Sequence, residues 1–224
     1  MNFVVIEGLD GSGKSTQINL IKEYLKNNGK SFQYLHFPRT DAKIYGEMIA
    51  RFLRGEFGNI NEVDPYLVAL LYAGDRNDAA ETINSWLDNG EFVLVDRYVY
   101  SNIAFQCAKL TGWEDKHDLR KWIYHLEFEY HHIPKPDISL FLDVPFDFTA
   151  RKLTSERIGD DREYLKGRKD IHEASLQFQQ DVRKVYLWQV ESEPDFHLID
   201  CRDETGDMLK PEVIFEKIMN KTEI

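Results

Sequence analysis

The chain has 224 residues, of which 42% are hydrophobic, and it carries a formal net charge of −11 at pH 7. This apolar fraction excludes an intrinsically disordered chain, and the acidic balance argues against nucleic acid or anionic membranes as partners. With no apolar run near the roughly 20 residues that span a bilayer, no visible signal peptide and two widely separated cysteines, the sequence predicts a cytoplasmic globular protein.

Five apolar segments rich in strand-forming residues alternate with helical patterns. They cover residues 3–6, 32–37, 92–95, 138–143 and 196–199. Several are nearly continuous apolar runs, as is typical of strands buried on both faces. The alternation predicts an α/β fold with a five-stranded parallel sheet flanked by helices. No linker composition divides the chain, so we expect a single domain over 1–224.

Three of the intervening helices have local sequence signals. Apolar residues spaced i, i+3 and i+7 between positions 18 and 25, followed by Asn28-Gly29, predict a helix after the first segment. Asp64 before Pro65 predicts the start of a long second helix. A further helix is predicted from about Asp170 to Val190.

The first strand leads into the loop "EGLDGSGKST". Gly8, Gly13, Lys14 and Ser15 fit the pattern G-x-x-x-x-G-K-[ST] between a predicted strand and a predicted helix. Backbone N–H groups of such a loop converge on phosphate oxygens, lysine adds a charge, and the serine hydroxyl can bind Mg²⁺. The alternative is a glycine-rich turn before a helix, and Thr16 is equally well explained as an early-helix residue. The pattern favours ATP binding.

Asp96 ends the third apolar segment, and Arg97 follows it. An acid at a strand end can hold Mg²⁺ or accept a proton from an attacking group, and ligands of open α/β sheets bind beyond these ends. The alternative is a surface ion pair between the two side chains.

Two further arginines suit a second anionic group, because guanidinium groups bind phosphate in a bidentate manner. Arg39 follows the second apolar segment, and Arg76 lies in the predicted second helix. Taken alone, Arg76 could equally be solvated.

The segment 151–169 is unusually basic for an acidic chain. It contains Arg151, Lys152, Arg157, Arg162, Lys166, Arg168 and Lys169. Glycines at 159 and 167 would allow it to move, which predicts a mobile lid that brings arginine to a transferring phosphoryl group. The alternative is an ordinary charged helix pair on the surface.

These motifs occur together and in order, and in this the chain resembles the thymidylate kinases (dTMP kinases). The matching segments are "EGLDGSGKSTQ", "FPR" at 37–39, "LLYAGDR" at 70–76, "DRYVYSNIAFQ" at 96–106 and "LFLDVP" at 140–145. The resemblance implies a phosphate-loop kinase fold with a mobile lid, the conversion of dTMP to dTDP with Mg-ATP, and a homodimer.

The resemblance also implies residue roles on the acceptor side. Asp10 would hold the deoxyribose 3′-hydroxyl, Tyr72 would stack on the base, and three arginines would contact the acceptor phosphate, namely Arg39, Arg76 and Arg97. The remaining implied substrate-binding residues are Phe37, Ser101, Asn102 and Gln106.

On the donor side, the implied ATP-binding residues are Gly8, Gly11, Ser12, Gly13, Lys14, Ser15, Thr16 and Arg202. Ser15 and Asp96 would serve Mg²⁺. The implied catalytic residues are Lys14, Asp96, Arg97, Arg157 and Arg162. Because Gly11-Ser12 stands where some family members carry a loop arginine, the resemblance places this chain with the subclass whose catalytic arginine comes from the lid.

Two other functions remain open. A deoxynucleoside kinase would phosphorylate a 5′-hydroxyl, but its base is often a carboxylate just beyond the second strand, where this chain has Phe37-Pro38-Arg39. A non-catalytic nucleotide-binding switch would need the phosphate loop without the further arginines and the aromatic residue.

Overall fold

Five parallel strands form the centre of the fold. The computed structural model describes residues 1–154, 160–167, 170–173 and 175–222. The strands are β1 (Phe3–Gly8), β2 (Phe32–His36), β3 (Phe92–Asp96), β4 (Ile138–Asp143) and β5 (Phe196–Asp200). They pair in parallel in the order β2-β3-β1-β4-β5, which confirms the predicted five-stranded parallel sheet.

Helices surround this sheet. They are α1 (Lys14–Asn27), α2 (Tyr45–Leu53), α3 (Pro65–Asp88), α4 (Val99–Cys107), α5 (Trp113–Tyr124), α6 (Phe146–Thr154), α7 (Leu176–Ser192) and α8 (Pro211–Thr222). A π-helix (His125–Tyr130) continues α5, and a 3₁₀-helix (Asp160–Leu165) follows α6. Of the helices that the described residues form, none is both long and apolar enough to cross a membrane.

The continuous apolar character of β1 follows from burial on both faces. Phe3 and Val5 pack into a core that contains residues of α3, α4 and α7. Val4 and Ile6 point the other way, into a core shared with α1 and α8. Successive side chains of a strand alternate between faces, so a strand covered on both sides needs an apolar residue at nearly every position.

The predicted helix starts have different outcomes. Asp64 caps α3 as predicted, because its carboxylate accepts hydrogen bonds from the N–H groups of Tyr66 and Leu67. The start predicted at about Asp170 is wrong, since α7 begins at Leu176 and Ser175 caps it. A tertiary contact explains the difference. The backbone N–H of Ile171 donates to the carbonyl oxygen of Leu53 at the end of α2, 3.0 Å away, so it is not used in a helical hydrogen bond.

The strand order determines where a ligand can bind. β1 lies between β3 and β4, so the loops that leave these strands diverge at the carboxyl edge of the sheet, where open α/β sheets bind ligands. The loop after β1 carries the glycine-rich motif, and Asp96 ends the adjacent β3. The fold therefore brings the first two motifs to one edge.

Candidate active site

One cleft of about 1340 Å³ opens at this edge and collects most of the predicted residues. Those that line it are Asp10, Gly11, Ser12, Gly13, Lys14, Ser15, Thr16, Phe37, Arg39, Tyr72, Arg76, Asp96, Arg97, Ser101, Asn102 and Gln106. Two other predicted residues, Gly8 and Arg202, do not line it. Arg157 is not among the described residues. Arg162 belongs to the 3₁₀-helix, but the structure does not describe its side chain.

Gly8 and Lys14 make close contacts with other residues of the phosphate loop. A Cβ on Gly8 would lie 2.6 Å from the Ser12 hydroxyl oxygen, so a larger residue at this position would displace the Ser12 side chain. The Lys14 Nζ donates to the carbonyl oxygen of Leu9 at 3.1 Å and lies 3.4 Å from that of Gly8. Burial, with Arg97 adding to it, lowers the pKa of Lys14 to about 8. An anion bound in the loop would favour the charged ammonium.

Asp96 lines the cleft and has one carboxylate oxygen without a hydrogen-bond partner among the described residues. Its Oδ2 lies 3.2 Å from the Nδ1 of His36, whereas its Oδ1 is buried without a hydrogen-bond partner among the described residues. Burial opposes ionisation, but Lys14 and His36 outweigh it and lower the pKa of Asp96. The alternative of an Asp96–Arg97 surface pair is wrong, because Asp96 is buried and Arg97 pairs with Asp10 instead.

The donor set around Asp96 fits Mg²⁺. Within the described part of the chain, no group of three or more His, Cys, Asp or Glu residues could hold a metal ion. Mg²⁺ in nucleotide sites, however, takes one or two protein oxygens and completes its shell with phosphate oxygens and water. The unpartnered Asp96 oxygen and the exposed Ser15 hydroxyl meet this requirement.

Arg97 has a strained backbone and three side-chain partners. Its φ is 66°, a left-handed conformation that non-glycine residues rarely adopt. Its Nη2 donates to Asp10 Oδ1 at 2.7 Å, and its Nη1 donates to the Ser101 and Tyr186 hydroxyls at 3.2 and 3.5 Å. The surroundings therefore determine the direction of this guanidinium group before any ligand binds.

Glu7 maintains this arrangement and was not predicted from the sequence. Its side chain, buried at the end of β1, accepts hydrogen bonds from the backbone N–H groups of Tyr98 and Ser101 at 2.9 and 3.1 Å and from the Tyr186 hydroxyl at 3.0 Å. Burial raises its pKa. A charged residue inside an otherwise apolar strand, directly before the first loop glycine, was a signal that could have identified it.

The other two predicted acceptor arginines are held by acids. The Arg39 Nε donates to Asp75 at 2.9 Å and its Nη2 to Asp78 at 2.7 Å. Arg76 is 1% exposed and donates through Nε and Nη2 to the two carboxylate oxygens of Glu127, at 2.5 and 2.7 Å. The alternative of a solvated Arg76 is therefore wrong.

Tyr72 belongs to an apolar part of the cleft that also contains a buried histidine. The His172 ring lies 4.9 Å from Phe105, 5.5 Å from Phe52 and 5.7 Å from Phe178, measured between centroids. Burial, reinforced by the charge of Lys109, lowers the pKa of His172 to about 3, so the ring is neutral. No local pattern predicted this residue, because its partners come from three separate helices.

Asp170 also lines the cleft. Its Oδ1 accepts a hydrogen bond from the backbone N–H of His172 at 2.8 Å, and its Oδ2 accepts one from the Tyr164 hydroxyl at 3.0 Å. Burial, together with the charge of Asp10, raises the pKa of Asp170 from 3.8 to about 7. The folded protein therefore binds a proton at this site that the unfolded chain releases between about pH 4 and pH 7.

The Asp170→Asn variant is expected to gain stability relative to the parent as pH rises. Since the folded-state pKa is the higher one, the native aspartate costs stability progressively from pH 4 to 7 and fully above pH 7, whereas asparagine does not titrate. Thermal unfolding at pH 5 and pH 8 should show a larger difference in Tm at pH 8. The same measurement on the exposed Asp88→Asn serves as the control, and a Tm difference for Asp170→Asn that is independent of pH would contradict this.

Arg202 lies just beyond β5, away from the described lining of the cleft. Its Nη2 donates to Asp143 at 2.9 Å and its Nε to Asp200 at 2.7 Å. Asp143, which ends β4, also accepts two hydrogen bonds from Arg183 of α7. Arg202, predicted to bind ATP, is thus fixed at the ends of the last two strands.

The parallel sheet, the phosphate loop and the strand-end acid define a phosphate-loop nucleotide kinase. A family model for thymidylate kinase matches residues 6–210. The chain therefore belongs to the thymidylate kinase family, whose members are ATP-dependent phosphotransferases that convert dTMP to dTDP.

Individual relatives agree with this assignment. The chain is 30% identical over 211 residues to the thymidylate kinase of Plasmodium falciparum, covering 94% of this chain and 92% of that protein. It is 34% identical over 199 residues to that of Thermosipho africanus, covering 88% and 89%. The structure of the thymidylate kinase from Candida albicans superimposes with a TM-score of 0.69 at 23% identity, covering 98% of this chain and 90% of that one, which shows the shared fold.

Proposed function

We propose that this chain transfers the γ-phosphoryl group of Mg-ATP to the 5′-phosphate of dTMP, giving dTDP and ADP. The observation that carries the proposal is that one cleft is lined both by the phosphate loop and by three arginines and a tyrosine suited to a second nucleotide. A nucleotide-dependent switch has no need of the second set.

On the donor side, the loop N–H groups and Lys14 bind the β- and γ-phosphates of ATP. Ser15 and Asp96 would hold Mg²⁺, which supplies charge neutralisation at the phosphate oxygens. The loop at 201–203, which contains Arg202, would border the adenine through its backbone groups. The lid, approximately 151–169, would add an arginine from Arg157 or Arg162 to the transferring group.

On the acceptor side, Arg97 binds the 5′-phosphate with help from Arg39 and Arg76, and Asp10 accepts a hydrogen bond from the 3′-hydroxyl. Burial opposes ionisation of Asp10, but Arg97 and Lys14 lower its pKa to about 2. The carboxylate is therefore a dedicated acceptor at neutral pH. Tyr72 is 9% exposed and lines the cleft, where its ring can stack on the base.

No general base is required for this reaction. The second pKa of a phosphate monoester is about 6, so the acceptor oxygen is already ionised at neutral pH. Catalysis then rests on alignment of the two nucleotides and on neutralisation of charge. The many cations in the cleft fit a phosphate acceptor better than the 5′-hydroxyl of a nucleoside.

Release of ADP is expected when the protein is supplied with Mg-ATP and dTMP, and not when thymidine replaces dTMP. A coupled ADP-release assay over a panel of nucleosides and nucleoside monophosphates measures this. Turnover with thymidine alone would establish a deoxynucleoside kinase instead. ATP binding without acceptor-dependent turnover would establish a switch.

We further propose a homodimer in the cytoplasm, as is usual for the family. Sedimentation of the purified chain would test the oligomeric state, and imaging of a tagged chain in its cell of origin would test the location.

A further inference from the structure

The π-helix His125–Tyr130 carries a buried acid that the proposed mechanism does not use. π-Helices are rare in proteins, and those that occur often lie at functional sites. Glu127 is fully buried in it, whereas the side chain of Glu129, two residues further, is 71% exposed. A buried carboxylate is costly unless every oxygen is hydrogen-bonded, so its partners indicate its purpose.

Glu127 connects two residues of the acceptor part of the cleft. Its Oε2 accepts from the Arg76 Nε at 2.5 Å. Its Oε1 accepts from the Arg76 Nη2 at 2.7 Å and from the Asn102 Nδ2 at 3.0 Å. One carboxylate therefore neutralises Arg76 and orients Asn102 at the same time.

The orientation of the Asn102 amide follows from its partners. Its Nδ2 donates to Glu127 and to the carbonyl oxygen of Ala69, 3.1 Å away. Both partners can only accept, so the amide cannot turn over without losing two hydrogen bonds. Its Oδ1 is buried, has no partner among the described residues and belongs to a residue that lines the cleft. The amide of this cleft-lining residue is thus held in one orientation, and its oxygen is left as a buried acceptor without a partner among the described residues.

We propose that Glu127 is a positioning residue that sets the base specificity of the acceptor site by holding Asn102 in its acceptor orientation. The favoured bases carry a ring N–H at the edge that meets Asn102, as thymine and uracil do at N3. Cytosine has an unprotonated N3, so two acceptors would face each other, and a buried unpaired acceptor is strongly disfavoured. This inference rests on the proposed function, because it assumes that the base stacks on Tyr72.

The test compares kcat/KM for dTMP, dUMP and dCMP in the parent and in Glu127→Gln. A glutamine can turn its NH₂ group toward Asn102 and favour the opposite amide orientation. We expect kcat/KM for dTMP and dUMP to fall about 10- to 100-fold, and the preference for dTMP over dCMP to fall at least about 10-fold, with the KM for ATP unchanged. The matched control Glu129→Gln, from the exposed part of the same π-helix, should leave the preference unchanged.

Glu127→Asp covers the case in which Glu127→Gln fails to fold. It keeps the charge beside Arg76 but is too short to reach both partners, so the preference should again fall, and ATP affinity verifies that the fold is intact. In an Asn102→Ala background, Glu127→Asp should change the preference no further. Equal losses for dTMP and dCMP in folded variants would overturn the positioning role, whereas a parent protein without dTMP turnover would overturn the proposed function.

Discussion

The Lys14→Ala variant is expected to lose turnover by about 100-fold or more, the range reported for the removal of one preorganised charge-stabilising group. The Lys14 ammonium group lies at the base of the phosphate loop, and its hydrogen-bond partners among the described residues are the backbone carbonyl oxygens of Gly8 and Leu9. It can therefore move toward the transferring phosphate without breaking an ion pair to any of the described residues. Steady-state ADP release at saturating ATP and dTMP measures the loss in kcat.

The fold should survive this substitution. Burial lowers the pKa of Lys14 to about 8, which means that the folded protein carries the charged lysine at a cost, and alanine removes that cost. Circular dichroism of the variant should match that of the parent. The matched control is Lys26→Ala, which removes an exposed lysine from the end of the same helix. Unchanged turnover in a folded Lys14→Ala variant would remove the argument for a phosphate loop.

The Arg97→Ala variant is expected to lower kcat/KM for dTMP by about 100-fold while ATP affinity changes little. A charge-assisted hydrogen bond contributes roughly 1.5–3 kcal/mol, and Arg97 can offer more than one to a phosphate. Its guanidinium group is already aligned by Asp10, Ser101 and Tyr186, so little ordering cost remains on binding. Initial rates at varied dTMP, with calorimetric titration of ATP, separate the two effects.

Arg51→Ala provides the matched control, because Arg51 is a half-exposed arginine of α2 that pairs with Glu56. Equal losses of affinity for dTMP and ATP in Arg97→Ala would show that Arg97 serves both nucleotides, and the acceptor assignment would then be wrong. Arg97→Lys should recover only part of the activity, since an ammonium group cannot form the bidentate contact.

The geometry explains why an acid stands inside a phosphate-binding loop. Asp10 accepts hydrogen bonds from Arg97 at 2.7 Å and from Gln179 of α7 at 3.0 Å. Its carboxylate therefore lies on the Arg97 side of the loop and not among the backbone N–H groups that would bind ATP phosphates. This position agrees with the role toward the acceptor sugar that the family resemblance implies.

The sequence by itself determined the fold class and predicted the donor half of the proposed site. Strands buried on both faces must be apolar at nearly every position, so β1 was recognisable from residues 3–6 alone. The phosphate loop is contiguous, and its glycines and Lys14 have a spacing that follows from the loop's own geometry. Asp64 and Pro65 likewise marked the start of α3 because capping is local.

Only the tertiary structure shows which side chains hold the residues of the proposed acceptor half in place. Glu7 meets Tyr186 across 179 positions of the chain, and Arg76 meets Glu127 across 51. Such pairs leave no periodicity or spacing in the sequence, because the distance along the chain between two partners depends on strand order and helix docking. For the same reason the sequence leaves the burial of Arg76 open and places the start of α7 too early. It also gives no sign of His172, whose aromatic partners come from α2, α4 and α7.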